Sequence, residues 1–166
     1  MQKRSKRIVM GALLAALICV ATMVIKWPLH PGYLNLGDCV VLIAGWMLSP
    51  MYGFLAAGIG SGLADIFSGC PQYALATFLI KGLMALFAHV LYKVFHKSLK
   101  DFLSRIVSGF AAELVMIGGY YLFEGILYGF GPSLVNIPFN AIQGTVGLVI
   151  GVVLIKVLKK SRITFE

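Results

Sequence analysis

The sequence predicts an all-α integral membrane protein with six transmembrane helices and both termini in the cytoplasm. Two observations lead to this prediction: the composition and the distribution of the basic residues. Of the 166 residues, 60% are hydrophobic and 12% are charged, whereas soluble domains carry about 25% charged residues. Because a helix needs roughly 20 apolar residues to cross a bilayer, we expect residues 1–166 to form a single membrane domain without a soluble catalytic part.

Most of the 14 lysines and arginines lie in three clusters. The clusters are Lys3, Arg4, Lys6 and Arg7; Lys93, Lys97, Lys100 and Arg105; and Lys156, Lys159, Lys160 and Arg162. Cytoplasmic loops concentrate lysine and arginine, so all three clusters are predicted inside, with an even number of crossings between them. No basic stretch carries interleaved aromatic residues, and we therefore expect no nucleic-acid partner.

The apolar stretches between these clusters predict the spans at about residues 8–25, 37–48, 53–67, 72–95, 102–124 and 134–158. The first stretch is longer than the hydrophobic core of a signal peptide, so we expect it to be retained. The second is short and therefore suits a helix shielded by protein. An outer loop with Pro28, His30, Pro31, Gly32 and Tyr33 separates these two spans.

Small residues on three spans predict close helix packing. They include Gly53, Gly58, Gly60 and Gly62 on the third span and Gly144, Gly147 and Gly151 on the sixth. On the first span, Ala12 and Ala16 form a small-residue face. This face is consistent either with packing inside the chain or with docking of another protein.

Ionisable side chains within the spans are candidates for function, because each costs free energy in a bilayer. Asp38 and Asp65 lie near the outer ends of their spans, where we expect water to reach them. Lys81 and Glu113 lie deeper and at similar depths. They are expected either to form a buried salt bridge with each other or to contact a ligand.

The sixth span carries Asn136, Asn140 and Gln143 on one face of its outer half, because residues three and four apart are neighbours on a helix. Tyr120, Tyr121 and Glu124 lie at the outer end of the fifth span, whereas residues 148–155 are apolar. This distribution predicts a pocket that is open to the outside and closed below. Amides and aromatic faces in such a pocket suit a small heteroaromatic ring with hydroxyl groups.

The sequence contains no arrangement typical of an enzyme or a metal site. His30, His89 and His96 are scattered, and Cys19, Cys39 and Cys70 form no Cys-x-x-Cys motif. We therefore expect no catalytic residues, no cofactor and no bound metal.

Several short motifs occur along the chain in a characteristic order: Leu36-Gly37-Asp38, Gly58-x-Gly60-Ser61, Leu63-Ala64-Asp65, Thr77-Phe-Leu-Ile-Lys81-Gly82, Tyr120-Tyr121 and Asn140-x-x-Gln143-x-x-x-Gly147. Together they resemble the S component of energy-coupling factor (ECF) vitamin transporters, in the branch linked to riboflavin, hydroxymethylpyrimidine or pyridoxine. Each motif is modest alone, but their order and spacing together are specific.

The resemblance implies a protein of the bacterial cell membrane that captures a vitamin outside. It would deliver the vitamin by toppling against a transmembrane coupling subunit driven by two cytoplasmic ATPase subunits, with Ala12 and Ala16 as the docking surface. The expected ligand contacts are Lys81, Glu113, Tyr120, Asn140 and Gln143, with Tyr33 as a lid. Pyridoxine or hydroxymethylpyrimidine is the favoured ligand and riboflavin the next. The alternatives are a stand-alone proton-coupled or facilitative transporter that uses Glu113, and a membrane enzyme or scaffold.

Overall fold

The computed structural model describes residues 2–28 and 33–160, which form seven helices and one short antiparallel hairpin. The elements are α1 (Gln2–Val24), β1 (Lys26–Pro28), β2 (Tyr33–Asn35), α2 (Gly37–Met47), α3 (Pro50–Phe67), α4 (Ala74–Phe95), α5 (Asp101–Tyr128), α6 (Phe130–Ser133) and α7 (Asn136–Lys160). The predicted all-α membrane class is therefore confirmed. Within these ranges, α1, α4, α5 and the α6–α7 segment are long and apolar enough to cross a membrane. The count of six spans stays a prediction.

Several boundaries differ from the sequence-based expectation: α1 begins at Gln2 rather than near residue 8, and α5 continues to Tyr128 rather than ending near residue 124. Helix α3 begins at Pro50 rather than near residue 53, because proline is well accommodated in the first turn of a helix. The predicted loop after α1 contains the β1–β2 hairpin, in which Lys26 is opposite Asn35 and Pro28 is opposite Tyr33. His30, Pro31 and Gly32 lie outside the described residues, as does Arg162 of the third basic cluster.

Helix α2 forms the centre of the bundle. All ten residues 37–46 are buried, and α1, α3, α4 and α7 pack around the helix. The expectation of a short helix shielded by protein is confirmed. The surrounding helices expose large apolar side chains on their outer faces, including Leu13, Leu75 and Ile126, as expected of a surface that contacts lipid.

Close helix contacts depend on glycine at two positions. A Cβ atom at Gly45 of α2 would lie 2.5 Å from the carbonyl oxygen of Ala85 in α4. A Cβ atom at Gly60 of α3 would lie 2.4 Å from the carbonyl oxygen of Ala15 in α1. Both distances are too short for any side chain, so the predicted packing role of Gly60 is confirmed.

A buried ion pair joins α2 to α4, where the Lys81 ammonium donates to Asp38 Oδ1. Asp38 is 0% exposed, so the expectation that water reaches its carboxylate is wrong. Asp65 is 6% exposed and lines the polar cavity described below. The proposed Lys81–Glu113 salt bridge is also wrong, because the first turn of α2 inserts Asp38 beside Lys81. Neither carboxylate oxygen of the buried Glu113 has a hydrogen-bond partner among the described residues.

We expect Lys81→Met to lower the free energy of unfolding by about 3–5 kcal/mol, because it leaves Asp38 charged and unpaired in the interior. The double variant Asp38→Asn/Lys81→Met should recover most of this loss, since neither position of the pair then carries a charge. Reversible unfolding in detergent with increasing denaturant measures these differences.

Glu113→Gln is the matched control, because it removes a buried carboxylate that has no partner in the structure. It should not lower the free energy of unfolding, because the substitution breaks no pairing among the described residues. A loss for Glu113→Gln as large as that for Lys81→Met would contradict the Asp38–Lys81 pairing.

Candidate ligand-binding site

A polar cavity lies at one end of the bundle, between the β1–β2 hairpin and the adjoining ends of α3, α4, α5 and α7. Its wall includes Tyr33, Thr77, Tyr120, Asn140 and Gln143. The cavity has a volume of about 50 Å³. Pockets that bind small molecules usually measure roughly 300–1,000 Å³. In this structure the cavity is therefore large enough for a few water molecules only.

The hairpin closes one side of this cavity and is held to the bundle by hydrogen bonds from Tyr33 and Asn35. The Tyr33 hydroxyl donates to Asp65 Oδ1 at 2.6 Å, and the Asn35 backbone N–H donates to Gln143 Oε1 at 2.9 Å. Residues two apart on a strand point to the same face, so β2 directs both residues toward the cavity. Burial, followed by the negative charge of Asp65, raises the pKa of Tyr33 above its usual value, which keeps the hydroxyl protonated as a donor.

The floor of the cavity is formed by a chain of polar contacts from α7 to α4. Gln143 Nε2 donates to Asp38 Oδ2 at 2.7 Å, while the other oxygen of Asp38 accepts from Lys81. Helix α7 approaches closely here, since a Cβ atom at Gly147 would lie 2.7 Å from Asp38 Cβ. The Gln143 side chain is therefore held in one orientation, with its NH₂ group toward Asp38 and its oxygen toward the hairpin.

The opposite wall joins α4, α5 and α7. The Thr77 and Tyr120 hydroxyls lie 3.1 Å apart, within hydrogen-bonding distance. Glu124 accepts from the Tyr73 hydroxyl at 3.4 Å and from Asn136 Nδ2 at 2.9 Å. The convergence of polar groups predicted for the outer halves of these helices is present.

The structure brings four of the six predicted ligand contacts together. Tyr33, Tyr120, Asn140 and Gln143 line the cavity, and Lys81 and Glu113 do not. Lys81 lies next to the lining, with its Nζ 5.4 Å from the centre of the Tyr120 ring. Among the described residues, no side-chain group hydrogen-bonds to the Asn140 amide.

Several lining residues were not predicted from the sequence as ligand contacts: Asn35, Tyr73, Thr77 and Phe139. Tyr73, Thr77 and Lys81 are spaced four residues apart and so share one helix face, which is a signal that the sequence contains. Asn35 has no such signal, because its position depends on the hairpin. In the described ranges, no group of histidine, cysteine, aspartate and glutamate side chains could hold a metal ion.

Apolar side chains fill the bundle on the other side of the cavity floor. Met84 of α4 and Met116 of α5 are fully buried, and Val152 and Ile155 of α7 are 7% and 2% exposed. All four belong to one hydrophobic core. The cavity is thus separated from the far end of the bundle by packed hydrocarbon.

A second cavity, almost entirely apolar, runs along the outer surface between α1 and α3. It measures about 680 Å³, and its wall includes Ala12, Ala16, Leu55 and Ile59. Ala12 and Ala16 are exposed rather than packed inside the chain. We call this surface the α1–α3 groove.

Comparison with known proteins identifies relatives over nearly the whole chain. The family model for the S component of ECF-type riboflavin transporters matches residues 2–160. The thiamine precursor transporter HmpT of Lactococcus lactis is 26% identical over 165 residues, covering 97% of this chain and 92% of that protein. An uncharacterized protein of Pyrococcus woesei is 32% identical over 145 residues, covering 86% of this chain and 95% of that protein.

Two solved structures share the fold. The S component of a bacterial ECF transporter matches with a TM-score of 0.74 and 26% identity, covering 95% of this chain and 97% of that one. The S component for biotin of an ECF-type ABC transporter matches with a TM-score of 0.58 and 18% identity, covering 93% of each chain. The extent of the family match establishes the identification: the chain belongs to the family of S components of ECF-type riboflavin transporters.

Proposed function

We propose that this S component binds a small heteroaromatic vitamin or vitamin precursor in the polar cavity, with hydroxymethylpyrimidine or pyridoxine preferred over riboflavin. The observation that supports this most directly is that the half-buried ring of Tyr120 and two amides, Asn140 and Gln143, line the same small cavity. Amides both donate and accept hydrogen bonds, as ring nitrogens, amino groups and hydroxyls require. The similarity to HmpT, which is named as a thiamine precursor transporter, supports the same ligand class.

Five of the six candidate residues have one of two roles in this proposal. Tyr33, Tyr120, Asn140 and Gln143 contact the ligand. Lys81 acts through Asp38, whose carboxylate fixes the donor end of Gln143. Glu113 packs against Gly144 behind the lining and is not assigned a contact.

Ligand entry requires the hairpin to move, because the free volume of about 50 Å³ is smaller than usual ligand pockets. Moving β2 away breaks the Tyr33–Asp65 and Asn35–Gln143 hydrogen bonds. The second of these releases Gln143 Oε1 as an acceptor for the ligand. The hairpin thus serves as the lid for which Tyr33 was a candidate.

The α1–α3 groove supports the proposed partner, a transmembrane coupling subunit that works with two cytoplasmic ATPase subunits. An exposed groove lined by small and apolar side chains permits close approach of a partner helix within the bilayer. The family is one of transporter components and not of enzymes, so ATP hydrolysis is assigned to the partners. The predicted bacterial membrane and cytoplasmic termini follow from the same proposal, and the stand-alone transporter is not favoured.

Asn140→Ala should weaken ligand binding roughly tenfold, because it removes a polar partner worth about 1–1.5 kcal/mol that makes no other hydrogen bond in the described structure. Titration calorimetry of the purified chain with hydroxymethylpyrimidine, pyridoxine and riboflavin measures the affinities. Thr145→Ala is the control on the same helix, since its hydroxyl bonds only to the backbone of its own helix. Equal affinities of both variants for all three ligands would contradict the assigned site.

Ala12→Phe should abolish co-purification with the coupling subunit while leaving vitamin binding intact, because the new ring fills the α1–α3 groove away from the cavity. Leu17→Phe is the matched control, since Leu17 is exposed on the same helix and does not line the groove. Pulldown in mild detergent from cells that co-express the partner subunits measures the association. Undiminished capture by Ala12→Phe would remove the groove as the docking surface.

A further inference from the structure

A cavity of about 370 Å³ lies at the end of the bundle opposite the ligand-binding cavity. It is formed where the beginning of α5 meets the end of α7. Its polar lining consists of Lys100, Asp101, Arg105, Lys156 and Lys159. Two of the three basic clusters contribute to it, so this is the predicted cytoplasmic end.

Arg105 provides a buried donor that the fold leaves unused. The residue is 4% exposed, and its guanidinium carbon lies 4.3 Å from the centre of the Tyr92 ring. Nε bonds to Asp101 at 3.3 Å and Nη2 bonds to the Tyr92 hydroxyl at 3.1 Å. Nη1 is buried and has no acceptor within the described ranges. Because an unpaired buried donor is costly, the position suits an acceptor supplied by a ligand.

The charge of this cavity favours an anion. Asp101 is the only acidic residue of its described lining, and its carboxylate already accepts from Tyr92 at 2.6 Å and from Lys159 at 2.8 Å. Lys100 and Lys156 are exposed and add two further positive charges. No side chain caps the beginning of α5, so its free backbone N–H groups also favour an anion.

The remaining wall of the cavity is apolar and reaches the outer surface. Val152 and Ile155 form its buried part, while Phe102 is 59% exposed. A free phosphate ion makes no favourable contact with this apolar wall. The glycerol and acyl part of a phospholipid would pack against it. Basic pockets between transmembrane helices on the cytoplasmic side are sites where phospholipid head groups bind.

We propose that this cavity binds the phosphate of an anionic phospholipid, with Arg105 Nη1 and the lysine ammonium groups as donors and Phe102 against the acyl chain. The site is separate from the vitamin cavity and does not depend on which vitamin is bound. It would fix the end of α7 to the head-group layer, next to the contact between Lys159 and Asp101.

The test uses the full chain in mild detergent, titrated with phosphatidylglycerol or with phosphatidylcholine of the same acyl chains, and native mass spectrometry counts the bound lipids. One phosphatidylglycerol should bind in preference to phosphatidylcholine. Lys100→Gln/Lys156→Gln should weaken this binding roughly 30-fold (about 2 kcal/mol, or 1 kcal/mol per lysine at 1.4 kcal/mol per tenfold). Both lysines are exposed, so the fold should be unchanged, as thermal unfolding verifies.

Lys97→Gln/Lys160→Gln is the matched control, because it removes the same charge from exposed positions that do not line the cavity. It should leave phosphatidylglycerol binding within about twofold. Equal binding of the two lipids, or equal losses in the two double variants, would overturn the site. Displacement of the lipid by millimolar inorganic phosphate would show that the site recognises free phosphate, and it would overturn the assignment of the ligand as a phospholipid.

Discussion

Asp38 carries a carboxylate in the centre of the bundle where water does not reach it, and both of its oxygens are occupied by side chains from other helices. One oxygen accepts from Lys81 of α4 and the other from Gln143 of α7. A charge left unpaired within a membrane protein costs several kcal/mol, so the position of α2 relative to α4 and α7 is strongly constrained. The same contact orients Gln143, whose oxygen then holds the hairpin through the Asn35 N–H. The position of the hairpin over the cavity therefore depends on an ion pair beneath the cavity floor.

Polar groups occupy both ends of the bundle, and hydrocarbon fills the region between them. Met84, Ala112 and Met116 are fully buried in that region, and no continuous polar path through it is evident among the described residues. A ligand bound in the outer cavity cannot pass along the bundle axis without dismantling this core. Under the proposed function, release on the other side of the membrane would require the protein to reorient with its ligand, and the α1–α3 groove would offer the coupling partner an apolar surface for this movement.

The sequence was sufficient to predict features that depend on the position of a residue along a helix. It was not sufficient for contacts that depend on how helices are rotated against one another, or for the short hairpin. The i, i+4, i+7 spacing of the α7 amides and the depth of Tyr120 were sufficient to place polar groups at the outer end. Similar depth suggested Glu113 as the partner of Lys81, whereas the structure places Asp38 of α2 beside Lys81, because depth does not specify how helices are rotated about their axes. Strands of three residues show no periodicity, so the hairpin and the contribution of Asn35 were not predictable.

The two cavities have the same arrangement: carboxylates hold the neighbouring polar groups, and a nearby polar group has no partner in the described part of the chain. Around the cavity that contains Asn140, Asp38, Asp65 and Glu124 hold their neighbours in fixed positions, and the Asn140 amide has no hydrogen-bond partner among the described residues. At the other end of the bundle, Asp101 accepts hydrogen bonds from Tyr92, Arg105 and Lys159. Arg105 Nη1 has no acceptor within residues 2–28 and 33–160. A group whose neighbours are already fixed loses little conformational entropy when a ligand engages it, so more of the contact energy appears as affinity. Under both proposals, the carboxylates would contribute to binding by immobilising the donors around them, and the unpaired donors would determine which ligand chemistry each cavity accepts.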